Sequence, residues 1–109
     1  MELLTLREVC EAYHVSRRAV QGYERANLVS ASSKNKYGYL FYDEAEQDRI
    51  AKIKQYQDMG FQIKEIKEII DASDTALKEA LIQRRESLQQ EIIHTQRMLE
   101  LINKMIQEL

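Results

Sequence analysis

Apolar residues recur every three or four positions along most of this chain, which is the period of a helix packed on one side. At the N-terminal end, Thr5–Glu8 has the S/T-x-x-E pattern of a capping box, so a helix is predicted to begin at Leu6. His14 follows as a turn residue, because His is one of the few non-glycine types enriched at positive φ. The first apolar stripe consists of Leu6, Val9, Cys10 and Tyr13.

A second short helix is predicted from Ser16 to Ala26. The Ser16 hydroxyl can accept a backbone N–H of the first turn, and Asn27 tolerates the left-handed conformation that ends many helices. A helix, a short turn and a second helix form the helix-turn-helix pattern. The packed face of the second helix is predicted to hold Val20 and Tyr23, together with the following Leu28. The opposite face is predicted to hold Arg18, Gln21, Gly22 and Arg25.

After the second helix the spacing of apolar residues changes to every second position. Tyr39–Tyr42 alternates in the manner of a strand, and the stretch between Val29 and Tyr39 contains a flexible, positively charged turn. We therefore predict a two-stranded hairpin after the second helix. Its turn is expected to comprise Lys34, Asn35, Lys36 and Gly38.

Two further helices are predicted beyond the hairpin. Asp43–Glu46 matches a capping box, and Gly60 stands where a helix C-cap favours glycine. A short amphipathic helix follows from Gln62, and the pair is expected to pack beneath the hairpin. The inward positions of the first helix are predicted to be Ala45, Ile50, Ile53, Tyr56 and Gln57. Those of the second are predicted to be Ile63, Ile66, Ile69 and Ile70.

The last predicted helix starts at Ser73-Asp74 and runs without a breaker to Leu109. About 35 residues at 1.5 Å each give a rod of roughly 50 Å. Its apolar residues, with Arg85 and Thr95 inserted, follow a 4-3 heptad spacing that favours pairing with a second copy, although folding back on its own domain stays open. Residues 1–72 are therefore expected to form one domain and residues 73–109 a dimerisation helix. The heptad seam comprises Leu81, Leu88, Ile92, Leu99, Ile102, Ile106 and Leu109.

Charge is distributed unevenly along the chain. Between Ser16 and Lys36 five basic residues stand against one acidic residue, so this segment is about +4 in a chain whose net charge is −2. Positive charge concentrated on one helix and one hairpin favours a nucleic-acid partner, although an ordinary solvated surface would also carry charge. The lone Cys10 cannot form an internal disulfide and is expected in the core. No apolar run reaches the ~20 residues of a membrane span, so no membrane partner and a cytoplasmic location are expected.

In this order, the features resemble the MerR family of transcriptional regulators. No single piece is specific, but their order and spacing together are. The resemblance covers nearly the whole chain, including the terminal coiled-coil helix. It rests on Leu6 to Ala12, Val15-Ser16, Arg18, Tyr23-Glu24-Arg25, Leu28, Gly38-Tyr39, Phe41-Tyr42, Asp43, Glu44, Met59-Gly60-Phe61 and Ile66 to Ile70.

The resemblance implies a mainly α fold: a winged helix-turn-helix domain followed by a long dimerisation helix that pairs as an antiparallel coiled coil. It implies a homodimer on an inverted-repeat promoter operator of double-stranded DNA, with RNA polymerase as a candidate partner there. Tyr23 corresponds to a tyrosine that bonds a backbone phosphate, and Lys64 is a further candidate phosphate contact. The full set of implied DNA-binding residues is Ser16, Arg17, Arg18, Gln21, Tyr23, Lys36, Tyr37, Tyr39 and Lys64.

The sequence also departs from the family pattern. Gln21-Gly22-Tyr23-Glu24 replaces the usual Arg-Tyr-Tyr-Glu, and Leu40 replaces the usual Arg after Gly-Tyr. These losses predict weaker or differently tuned operator binding, and Gly22 would allow close approach of the helix backbone to DNA. The chain reaches Leu109 with neither an effector domain nor metal-binding cysteines, so a short form without cofactor or metal is expected.

Two other classes of function stay open at this level. An architectural DNA-bending factor, such as a phage excisionase, shares the winged-helix plan but is usually small and lacks a coiled coil. A protein-interaction module could use the seam for a different partner, but it would leave the basic segment unexplained. An enzyme is not expected, because the two histidines, His14 and His94, are far apart in sequence and no Gly-rich phosphate loop is present.

Overall fold

Helices dominate the structure, a computed structural model that describes residues 3–109. The chain divides into two compact units: a head that ends at Asp71 and a tail from Ala72 to Leu109. In chain order the elements are β1 (Leu4–Thr5), α1 (Leu6–Tyr13), α2 (Arg17–Arg25), β2 (Ser33–Lys34), β3 (Leu40–Tyr42), α3 (Glu44–Asp58), α4 (Ile63–Ile69) and α5 (Asp74–Glu108).

The first two helices begin where side chains can satisfy their free N–H groups, as predicted. Thr5 Oγ1 accepts from the N–H of Glu8 at 3.2 Å, and Glu8 Oε1 accepts from the N–H of Thr5 at 3.0 Å. Ser16 Oγ accepts from the N–H of Ala19 at 3.0 Å. His14 and Asn27 have φ values of 55° and 61°, which confirms both as left-handed turn residues.

The predicted capping box at the start of α3 is only half formed. Asp43 Oδ1 accepts from the N–H of Glu46 at 2.9 Å, but the Glu46 carboxylate accepts from the N–H of Ser30 at 3.2 Å. The N–H of Asp43 donates instead to Ser32 Oγ at 3.0 Å. In a reciprocal capping box the Glu46 carboxylate would accept from the N–H of Asp43. Here both groups bond instead to Ser30 and Ser32, which ties the connection before β2 to the start of α3.

The sheet has one strand more than the predicted hairpin. Strands β2 and β3 form that hairpin, with Ser33 opposite Phe41, and β1 adds to the other edge of β3, with Leu4 opposite Tyr42. All pairs are antiparallel, and the strand order is β1-β3-β2. Because β1 leads directly into α1, the hairpin is joined to the helix-turn-helix by backbone hydrogen bonds at its root.

The core of the head lies between the helix-turn-helix, β3 and the α3–α4 pair. Two predicted details of this core were wrong. Ala45 is exposed, whereas Gln47 is 7% exposed, donates from Nε2 to the Tyr42 carbonyl at 2.9 Å and accepts from the Tyr13 hydroxyl at 3.1 Å. Cys10, which was expected in the core, is only half-buried. This partial burial raises the pKa of its thiol. The largest fully buried side chains are Tyr23, Tyr42, Ile50, Ile53, Ile66, Val9 and Val20.

The tail consists almost entirely of α5. Ser73 Oγ caps this helix by accepting from the N–H of Ala76 at 3.2 Å, which confirms the predicted start. From Arg85 to Leu109 every residue is exposed. None of the helices formed by residues 3–109 is long and apolar enough to cross a membrane.

Candidate nucleic-acid interface

The α2 helix turns its apolar side inward and a polar side to solvent. Val20 and Tyr23 are 0% and 1% exposed, as the helical spacing predicted. Val15, in the turn just before the cap, is also buried, so the turn between α1 and α2 helps to keep the apolar side of α2 inward. The outward face therefore presents charge and amide groups. Its exposed members are Arg17, Arg18, Gln21 and Arg25.

Ser16 lies at the exposed N-terminal end of α2 and serves as its cap. Its oxygen accepts a hydrogen bond from Ala19, and a hydroxyl that accepts one bond can still donate another. The free N–H groups of a first helical turn also favour anionic partners. Ser16, Arg17 and Arg18 therefore form one end of the helix that suits a phosphate or a base edge.

Tyr23 does not lie on this outward face. Its side chain is 1% exposed, and its hydroxyl donates to Gln57 Oε1 at 2.6 Å. Burial, with the nearby Asp58 charge, raises the pKa of this hydroxyl. The structure gives Tyr23 a packing role that links α2 to α3, and a contact with phosphate would require the hydroxyl to leave Gln57.

The hairpin tip is held by one side chain. Asn35 Oδ1 accepts from the N–H groups of Tyr37 at 2.9 Å and Tyr39 at 3.0 Å, and Gly38 takes a φ of 87° between them. Tyr37 and Tyr39 are 73% and 63% exposed, and Lys36 Nζ lies 5.0 Å from the Tyr37 ring centroid. The tip therefore presents two tyrosine rings and a cation to solvent on an ordered turn.

The root of the hairpin is fixed to α2 by a contact that the sequence did not predict. The buried Tyr42 hydroxyl donates to Glu24 Oε1. Burial and the Glu24 carboxylate raise the pKa of Tyr42. Glu24 belongs to the segment that carries the family resemblance, but its orientation toward β3 depends on a pairing between residues 18 positions apart.

A groove of about 600 Å³ separates the start of α1 and α2 from the hairpin. It brings together three of the predicted DNA-binding residues, Arg17, Gln21 and Tyr39. The others lie outside it. Its lining consists of Thr5, Leu6, Arg7, Arg17, Gln21, Gly38, Tyr39, Leu40 and Phe41.

The remaining predicted residues are also placed by the structure. Lys64 is exposed on the first turn of α4. Among the seam residues, Leu81 is half-buried, while those from Leu88 onward are 38% to 101% exposed. Within residues 3–109, no three His, Cys, Asp or Glu side chains cluster closely enough to hold a metal ion.

Most of this chain matches a known protein family. The profile of the MerR HTH family regulatory proteins matches residues 4–73, which is most of the head and the start of the tail. The chain belongs to the MerR family. Residues 4–73 therefore carry the helix-turn-helix of the MerR HTH family regulatory proteins, as the sequence resemblance implied.

Curated relatives agree with this MerR assignment. The chain is 28% identical over 99 residues to the HTH-type transcriptional activator mta of Bacillus subtilis, covering 91% of this chain and 38% of that protein. It is 26% identical over 88 residues to the nodulation protein NolA of Bradyrhizobium diazoefficiens, covering 81% of this chain and 37% of NolA. The chain thus spans less than two fifths of the length of these two relatives.

Solved structures show the same MerR architecture. The crystal structure of MtaN, the N-terminus of the Bacillus subtilis multidrug transporter activator, matches with a TM-score of 0.83 at 27% identity, covering 94% of this chain and 97% of that one. HiNmlR, a MerR family regulator bound to promoter DNA, matches with a TM-score of 0.64 at 16% identity, covering 96% and 88%. The second match is a likeness of fold alone.

Proposed function

We propose that this MerR-family chain acts as a homodimer that binds an inverted-repeat operator in a promoter and regulates transcription there. The observation that carries the proposal is the outward face of α2, where Arg17, Arg18 and Gln21 are exposed beside an ordered hairpin. In the major groove, Arg can bond guanine through two acceptors and Gln can bond adenine. These side chains are therefore the candidates for reading the operator.

The hairpin supplies the sequence-independent part of the proposed contact. Lys36, Tyr37 and Tyr39 are exposed at its tip, where they would approach the backbone or minor groove that flanks the α2 site. Lys64, on α4, adds a second flanking cation. Such contacts position a protein on the duplex, whereas base contacts specify the sequence. We therefore expect binding to weaken steeply as salt rises.

The tail supports a dimer. A helix of 35 residues whose apolar seam residues are largely exposed would be an aggregation hazard if it stayed unpaired in water. A second copy would cover the seam through the a and d positions of an antiparallel coiled coil. A two-fold dimer presents two identical heads, so it matches two half-sites in inverted orientation.

We infer the promoter and RNA polymerase as partners from the names of similar proteins. The names of the mta activator and of the mercuric resistance operon regulatory protein of Bacillus cereus, 28% identical over 67 residues, describe control of transcription. HiNmlR was crystallised on promoter DNA. We infer that this chain acts at a promoter too, close enough to affect RNA polymerase.

Selection of bound duplexes from a random DNA pool tests the proposal. The expected product is an inverted repeat bound by two chains, with half-site centres separated by a whole number of helical turns. Stoichiometry would be measured by analytical ultracentrifugation of the complex. Binding without sequence enrichment would favour an architectural DNA-bending protein. Absence of DNA binding would favour a protein-interaction module, and either result would contradict the operator proposal.

A further inference from the structure

We propose that Arg7, on the first turn of α1, is a DNA phosphate contact, and that the groove it shares with Arg17 holds one strand of the sugar-phosphate backbone. This inference rests on the proposed DNA-binding function and extends it to a residue outside the outward face of α2 and the hairpin tip. Arg7 is not among the DNA-binding residues predicted from the sequence, because nothing along the chain places α1 opposite the hairpin. The pairing of β1 with β3 produces that arrangement.

The charge of the groove favours an anion. Arg7 and Arg17 both line it, and none of its nine lining residues is acidic. The Arg7 side chain is 82% exposed, and its Nε lies 3.4 Å from Glu11 Oε1. An exposed pair of this kind contributes little to stability, so the guanidinium can exchange Glu11 for a phosphate at small cost. Guanidinium groups form charge-assisted hydrogen bonds with phosphate oxygens, so two arginines that line one groove favour a phosphate there.

The position of the groove favours a nucleic-acid backbone over other anions. One wall carries Gln21, from the face of α2 proposed to enter the major groove, and the other carries Tyr39 from the hairpin tip. Between a major groove and the adjacent minor groove of a duplex lies one sugar-phosphate strand. The apolar lining from Leu6, Leu40 and Phe41 suits the sugar rings, while the arginines suit the phosphates. The groove thus matches both parts of a backbone.

The hairpin wall itself carries no charge. Leu40 stands there, and Gly38, Tyr39 and Phe41 are also uncharged, so the cations of this groove come from α1 and α2 alone. This makes the contribution of Arg7 separable by mutation. It also provides a rescue, because Leu40→Arg would return a cation to the same groove from the opposite wall.

The experiment compares the wild type with Arg7→Gln, Arg7→Lys and the double variant Arg7→Gln, Leu40→Arg. The full chain is titrated against the duplex recovered by selection and a scrambled duplex of equal length, across a series of salt concentrations. Lys52→Gln is the matched control, because it removes one positive charge at an exposed α3 position outside the groove. Melting temperatures are measured for every variant.

Loss of a charge-assisted phosphate contact should lower affinity about tenfold. Because phosphate contacts carry no sequence information, Arg7→Gln should weaken binding to both duplexes by the same factor, and the slope of log K against log salt should fall by about one. Arg7→Lys should retain the wild-type slope. The double variant should recover part of the affinity, and Lys52→Gln should behave as the wild type.

Several outcomes would overturn the inference. An unchanged affinity and slope for Arg7→Gln, with normal binding by the wild type, would reject the Arg7 contact and leave the proposed function intact. A loss confined to the selected duplex would identify a base contact instead. An equal loss in Lys52→Gln would reduce the effect to net charge. A wild type that binds neither duplex would reject the inference together with the proposed function.

Discussion

The Tyr23 hydroxyl donates a 2.6 Å hydrogen bond to Gln57 Oε1, which ties the last turn of α2 to the last turn of α3. A second pair of the same kind joins α1 to α3, because the Tyr13 hydroxyl donates to Gln47 Oε1 at 3.1 Å. In both pairs the partners are 34 residues apart. The two helices of the helix-turn-helix are thus fixed to one scaffold helix by polar contacts as well as by apolar packing.

Tyr23→Phe should lower the free energy of unfolding by about 1 kcal/mol, because it removes one hydrogen bond and leaves the Gln57 carbonyl without it. Urea denaturation at fixed protein concentration would measure this change. Tyr37→Phe, at a 73% exposed ring, is the control and should leave the free energy unchanged. If Tyr23 binds phosphate as the family resemblance implies, its loss would reduce DNA affinity by more than the stability change explains.

Gly22→Ala should stabilise the head by about 1 kcal/mol, since Ala is favoured over Gly in a helix interior. A Cβ at Gly22 would meet only the end of Arg25, at 3.8 Å, so the native structure can accept it. Gly38→Ala has the opposite expected sign and should cost about 1–2 kcal/mol, because Gly38 has a φ of 87°. Thermal and urea unfolding would measure both.

The same Gly22→Ala variant tests whether α2 approaches DNA closely. If the backbone at Gly22 meets the duplex, operator affinity should fall while stability rises. Fluorescence anisotropy with the selected duplex would measure the affinity. Equal or higher affinity in the stabilised variant would mean that Gly22 is not needed for a close approach.

Arg18→Ala should lower operator affinity at least tenfold, because a bidentate pair between Arg and guanine contributes about 1–3 kcal/mol of discrimination. The melting temperature should stay near that of the wild type, since Arg18 is exposed. Anisotropy titrations and thermal melts give the two readouts, and Lys52→Ala is the control for charge. Unchanged affinity would remove Arg18 from the proposed contact set.

Leu99→Glu should convert the dimer to a monomer, because it places a charge in the centre of the proposed seam. Leu99 is 54% exposed in the single chain, so the head should fold normally, which circular dichroism would check. Gln90→Glu introduces the same residue and the same charge change at an f position, and it should remain dimeric. Sedimentation of a persisting Leu99→Glu dimer would contradict the proposed seam.

An ion pair at the end of the head makes stability depend on pH. Arg49 Nη1 lies 2.8 Å from Asp71 Oδ1, and Arg49 Nε donates to the Leu28 carbonyl at 2.7 Å. The guanidinium lowers the pKa of the Asp71 carboxyl below its ordinary 3.8. A folded-state pKa that is lowered stabilises the fold above the unfolded pKa, and this stabilisation disappears as pH falls through the folded value.

Asp71→Asn should therefore be less stable than the wild type near neutral pH, and the difference should vanish in strong acid. The effect should be small, because the Asp71 side chain is 73% exposed. Urea unfolding across a pH series would measure it. In an Arg49→Gln background, Asp71→Asn should produce a smaller pH-dependent difference, because Lys52 is then the remaining cation that lowers the pKa of Asp71. If the full difference persists in that background, Arg49 is not its cause.

The sequence predicted the features that depend on neighbouring residues. Thr5 and Ser16 were identified as caps, and Ser73-Asp74 as a helix start, because a cap needs only a side-chain oxygen two or three residues before a free N–H. His14 and Asn27 were identified as left-handed positions from residue type alone. The outward face of α2 followed from helical period, which also gave the buried positions of Val20 and Tyr23.

Features that depend on distant pairing were missed. Strand β1 is two residues long, and its existence depends on Tyr42 and Phe41, far along the chain. Gln47 is polar and was not recognised as buried, because its partners, the Tyr13 hydroxyl and the Tyr42 carbonyl, meet it only in the folded head. Glu46 exchanged its predicted local partner for Ser30 for the same reason.

The double role of Thr5, last residue of β1 and cap of α1, leaves no spacer between the sheet and the first helix. An extra residue inserted at this junction would shift either the strand register or the cap, so the root of the hairpin should resist changes in length. Insertions at its tip, between Lys34 and Leu40, would disturb neither. Insertions that lengthen the hairpin should therefore be tolerated at its tip alone.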